Sequence, residues 1–172
     1  MLEFARVFLN IALLRRGPQD LPASKFLLVA LIALAILVNL AVSLAFGFDL
    51  ALTVERSVLA ASLGLVLTAA VLAIAGRAHR FVQVSTGMVG AELVIAPVGV
   101  LLLVLAKPYG EFATHPDWLR FFEGAYEAWD IIIVGHVYRA ALERNFFLCV
   151  LLAFACEIIV VMAVQGLFPM SM

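Results

Sequence analysis

Charge is scarce in this chain. Asp, Glu, Lys and Arg make up 13% of the residues, about half the share of a water-soluble domain. Hydrophobic residues make up 66%, and the mean hydropathy is +1.15. So little polar surface cannot cover a soluble particle. Cysteine is scarce too. Cys149 and Cys156 lie in one apolar run, two turns apart on a helix, too far to bridge. They read as small buried hydrophobes. No CxxC or Cys/His spacing offers a metal site. The net charge of −1 gives no basic excess for nucleic acid. GxSxG, HExxH and P-loop motifs are absent, so no catalytic, cofactor or metal residue is assigned and no enzyme is expected.

What the chain does have is long apolar blocks. They exclude a soluble protein with a large core. They also exclude a transmembrane barrel, whose segments alternate over about ten residues. The expectation is an all-α, polytopic transmembrane helix bundle filling residues 1–172 as one membrane domain.

An amphipathic helix over residues 2–16 leads it. Phe4, Val7, Phe8, Ile11 and Leu14 follow the i, i+3, i+4, i+7 spacing, with Glu3, Arg6 and Asn10 opposite. This predicts a helix lying on the membrane, with Arg6, Arg15 and Arg16 at the lipid headgroups. Glu3, Arg6 and Asn10 also break up any signal-peptide core, and no small-residue cleavage site follows. Gly17-Pro18 ends the helix, and Ser24 caps the next.

Spans are then expected at about 26–46, 57–75, 82–106, 121–142 and 145–168. Residues 47–56 read as a polar turn and GRAHR as a tight basic loop. Thr114-His-Pro-Asp117 resembles a capping box opening the fourth span. That span is the ambiguous one, because it carries Glu123, Glu127, Asp130, His136 and Arg139. The positive-inside rule decides for it. With five spans and a cytoplasmic N-terminus, eight of the eleven Lys and Arg residues fall on the cytoplasmic side. With four spans the bias nearly vanishes. The C-terminus is then periplasmic. The Leu, Ala, Val and Arg-rich composition fits a bacterium of high genomic GC, hence its cytoplasmic (inner) membrane.

An ionisable group at the bilayer centre costs about 3 kcal/mol on insertion scales. Four such groups are candidates for an ion path or for contacts with a partner: Glu92, Asp130, His136 and Glu157. Glu92 follows Gly87, Gly90 and Ala91, small residues that let helices approach closely. It is expected to face another helix. Asp130 and His136 are six apart and need separate partners, and Glu157 is one choice for His136. Trp118, Trp129, Tyr109 and Tyr126 read as interfacial anchors.

The order of features resembles the bacterial side of the YIP (Ypt-interacting protein) membrane family. The resemblance rests on the amphipathic lead with its Pro-containing connector and on EAWDIIIVGHVYRAAL, with Trp129, Gly135 and Arg139. The Gly/Pro-bearing third span and the last apolar span complete it. It implies five spans, a cytoplasmic N-terminus, no enzyme activity and no site residues. The long cytoplasmic region of eukaryotic members has no counterpart here, so no GTPase partner is inferred.

Two functions follow from these residues. The first is a non-enzymatic scaffold or accessory subunit, partnered by the lipid bilayer and by other membrane subunits or itself. The second is a proton, cation or small-solute transporter or channel subunit using the intramembrane carboxylates. Against the second, five spans make a thin pore wall, and no inverted repeat is visible.

Overall fold

The computed structural model describes residues 2–110 and 112–168, with side chains from residue 4 onward. The placing of Glu3 on a polar face lies outside the described residues. Among the described residues six α-helices carry the fold, one short and five long: α1 (Leu2–Ala12), α2 (Lys25–Phe46), α3 (Leu50–Ile74), α4 (Phe81–Ala106), α5 (Asp117–Leu142) and α6 (Phe146–Leu167). Among the described residues there is no strand.

Local chemistry sets the helix ends. Ser24 Oγ accepts from the Leu27 N–H at 3.2 Å and starts α2. Gly47, at φ 76°, ends it in the left-handed conformation that glycine adopts freely. Asp49 Oδ1 accepts from Leu52 N–H at 2.9 Å and starts α3. Residues 50–56 are therefore helix, not turn. Their charges, Glu55 and Arg56, sit in the second turn of a helix that Asp49 caps. At the start of α5 the N-cap is Pro116, which offers no side-chain acceptor, and Thr114 donates to Tyr109 O.

Four helical segments are long and apolar enough to cross a membrane: α2, α3, a stretch around α4, and α6. Their outward faces carry large apolar side chains; Phe26 is 84% exposed and Ile74 88%. No soluble fold leaves such a surface bare. The chain is therefore a multi-pass membrane protein. α5 is equally long, 26 residues, but carries too many charges to qualify by composition.

The five long helices close into a ring. Around it α2 packs on α3, α3 on α6, α6 on α5, α5 on α4, and α4 back on α2. α5 and α6 share the most extensive contact, with Gly135 packed against Val150. α1 lies outside the ring, against α4. Its apolar face is divided: Phe4 and Leu14 are exposed, as the periodicity implied, whereas the middle of the face is covered by protein. Phe8 and Ile11 are buried in the main core beside Leu21, Ala91 and Val137. The Phe8 ring occupies the space where Gly90 lacks a side chain, and Pro18 and Leu21 sit over Gly87. The helix stops at Ala12, before Arg15 and Arg16, which are exposed.

Candidate functional site

The ring surrounds an open cavity of about 450 Å³ lined by all five helices. Ordinary ligand sites begin at about 300 Å³. Each helix contributes one face at helical spacing. α3 supplies Arg56, Ser57, Ala61, Gly64 and Thr68, and α4 supplies Ser85, Met88, Val89 and Glu92. From Arg56 to Thr68 the cavity runs about 18 Å along α3, at 1.5 Å per residue.

Three of the four candidate residues meet in this cavity: Glu92, Asp130 and Glu157. Helix register puts them at one height. Arg80 Nη1 donates to Ala141 O at 2.9 Å, and Gly99 faces Tyr126, so α4 and α5 run antiparallel in a fixed register. Gly135 against Val150 fixes α6 in the same way. Carried along these pairings, the three carboxylates fall within roughly one helical turn of each other, midway along α4. None of the three has a hydrogen-bonded or ion-paired protein partner described.

Glu92 does not sit on the small-residue face of α4. It lies two residues beyond Gly90, about 200° around the helix. The small-residue face takes up α1 and its connector, and Glu92 faces the opposite way, into the ring. His136 does not join the carboxylates, and Glu157 is not its partner. Its Nε2 donates to Arg16 O at 2.9 Å, tying the connector after α1 to α5. Trp129 is a second tie, donating through Nε1 to Ala12 O at 3.0 Å.

The cavity is closed at one end. There Thr68 and Tyr138 share a hydrogen bond of 3.1 Å, both buried, and Leu72, Val84 and Val137 fill the space behind them. Further out, Arg77 holds Glu143 through two bonds of 2.9 and 3.0 Å, and Arg80 reaches the same carboxylate at 3.0 Å. Toward the other end, Arg56 Nη2 donates to Phe168 O at 2.8 Å. Two buried polar atoms of the lining have no protein partner: Arg56 Nε and Ser85 Oγ. A buried polar atom left unbonded costs about 1–3 kcal/mol. Among the described residues no His, Cys, Asp and Glu side chains cluster tightly enough to hold a metal ion.

Sequence reasoning placed the carboxylates in the membrane but missed Arg56, Ser85, Thr68 and Tyr138. A signal for one of them, Thr68, was present. Ser57, Ala61, Gly64 and Thr68 recur at i, i+4, i+7 and i+11, a small and polar stripe on an otherwise bulky helix. No family model matches the chain, and no curated protein or solved structure matches it either.

Proposed function

We propose that this chain is a non-enzymatic membrane protein that takes protons or a small cationic solute into a cavity surrounded by its own helices. One observation carries the reading: Glu92, Asp130 and Glu157 line a single cavity at one height. Three carboxylates facing one apolar-walled space repel one another when ionised, and protons or a cation relieve that repulsion. The objection of a thin pore wall weakens here, because one chain's five helices surround the space.

The scaffold or accessory-subunit reading keeps one observation in its favour. The Thr68–Tyr138 floor is closed, so passage needs a rearrangement of this end. A neighbouring subunit's polar group entering the cavity would satisfy the same carboxylates without any flux.

We also propose that α5 crosses the membrane as the fifth span, since it packs between α4 and α6. Arg77 and Arg80 stand at the end of the ring where the connector arginines also lie. The positive-inside rule makes that end cytoplasmic. The C-terminus is then periplasmic in a bacterial inner membrane, as in the YIP-like arrangement. A C-terminal alkaline phosphatase fusion is expected to be active; an inactive fusion would reverse this topology.

Flux is the functional test. The chain is reconstituted in liposomes with a proton or cation gradient, beside Glu92→Gln. The expected result is a gradient-driven flux that the variant lowers by about tenfold or more, the scale of one lost charge-assisted contact. No flux from the wild type, together with extra subunits retained in native mass spectrometry, would replace this reading with the accessory-subunit one.

A further inference from the structure

Three arginines converge at a second pocket, and none of the three is ion-paired. This pocket, about 340 Å³, lies at the basic end, between the connector after α1 and the last turns of α5. Its lining includes Arg15, Arg16, Arg139 and His136, with Asp20 and Glu143 as the acids. Glu143 is already engaged by Arg77 and Arg80. Among the described residues, ion pairs involve Arg77, Arg80, His115 and Arg120, and none involves Arg15, Arg16 or Arg139.

The chain is bent to bring these charges together. Past Ala12, Leu14 adopts φ 59°, the left-handed region that costs a non-glycine residue about 1 kcal/mol. The N–H groups of Arg15 and Arg16 both turn back to Asn10 O, at 2.8 and 3.2 Å. His136 then holds Arg16 O, and Trp129 holds Ala12 O. The Leu14 N–H bonds Ile11 O at 2.9 Å, which completes an ordinary helix-ending turn. The turn places two adjacent arginines beside Arg139.

Like charges gathered on a fixed backbone call for an anion. The planar guanidinium fork matches the paired oxygens of a phosphate. The surroundings narrow the class further. The Arg139 guanidinium lies 6.0 Å from the centroid of the Phe146 ring. Phe147 and Leu148, next along the chain, are 67% and 60% exposed. A phosphate seat beside bare apolar surface suits an amphiphile. We infer that Arg15, Arg16 and Arg139 form a site for the phosphate of an anionic phospholipid, whose chains run down the neighbouring apolar face. The inference needs the chain to sit in a membrane; it does not depend on what the central cavity carries.

The test is native mass spectrometry of the full chain released from vesicles of phosphatidylglycerol and phosphatidylcholine in equal parts. The wild type is expected to retain phosphatidylglycerol selectively. Arg16→Ala with Arg139→Ala keeps the backbone bond to His136 and is expected to lower retention by about tenfold or more. Arg6→Ala, on α1 and outside the pocket, is expected to leave retention unchanged. Should the double alanine variant not fold, Arg16→Lys with Arg139→Lys keeps the charge but loses the fork. It is expected to lower retention severalfold. Wild-type retention in a folded double alanine variant, or in the lysine pair, would overturn the site. So would an equal loss from Arg6→Ala, which would mean general surface attraction. Displacement of the lipid by millimolar inorganic phosphate would move the ligand into solution and overturn the lipid assignment.

Discussion

The two ends of the helix ring are held by different means. At the basic end the helices are stitched together. Arg77 and Arg80 grip Glu143, Arg80 also reaches Ala141 O, Gln83 reaches Leu21 O, and Tyr138 meets Thr68 over a filled apolar floor. At the opposite end the ties are fewer: Ser43 to Thr53 at 2.9 Å, and Arg56 to Phe168 O. Between them the ring widens around three carboxylates. Water cannot drive helix association inside a bilayer, so close packing and hydrogen bonds must. The chain spends both on one end and leaves the middle open. A fold optimised only for stability would fill that space with side chains.

The sharpest way to break the contrast is at a glycine. A Cβ on Gly135 would lie 2.6 Å from Val150 Cγ2, 2.8 Å from its Cα and 3.0 Å from its N. Backbone atoms cannot swing aside, so α5 and α6 must separate. Gly135→Ala is expected to destabilise by about 1–3 kcal/mol, the usual range for overpacking. Gly64 lines the open cavity, and a Cβ there meets nothing within 4 Å. Gly64→Ala is expected to be neutral or to stabilise by up to about 1 kcal/mol, through helix propensity alone. Thermal unfolding of both variants in one detergent checks the pair. Equal losses at both positions would mean that the ring is packed evenly and that the cavity is not open.

Much of the membrane architecture was legible from residue order. Runs of 20 or more apolar residues leave no choice but helix when no water is present to satisfy the backbone. The Ser24 cap was legible because capping is local. The early start of α3 was not. Thr53, Glu55 and Arg56 read as a polar loop, whereas a cap at Asp49 and a Ser43–Thr53 contact make them helix. The α1 periodicity showed an apolar face but not what covers it. Covering Phe8 takes Gly90, eighty-two residues away, and no local rule encodes that distance. The site was half legible for the same reason. Intramembrane charge is rare enough to point at Glu92, Asp130 and Glu157 singly. Their meeting depends on the order in which five helices close a ring, and Glu157 was one choice for His136 on depth alone, whereas the bond goes to Arg16 O.

The smallest effect sits at the stitched end, on Glu143. This residue follows α5 with φ 56° and is exposed, outside the span. The Arg77 guanidinium, with Arg80 beside it, holds the Glu143 carboxyl below the usual glutamate range. A glutamate in the unfolded chain titrates at about 4.3. The folded state thus binds the proton less readily than the unfolded one. Stability from the pair is full above the unfolded value and is lost as pH falls through the lower folded value. The wild type is expected to be slightly more stable than Glu143→Gln at neutral pH. That advantage holds down to about pH 4.3 and shrinks below it. Water and salt screen an exposed pair, so the difference is small and shrinks further at high ionic strength. Melting temperatures of the two proteins across this pH range, at low and high salt, measure it. An advantage that grows on acidification would reverse the sign and remove Arg77 and Arg80 as the cause. A difference that ignores salt would mean that Glu143 acts through the shape of its helix-ending turn rather than through its charge.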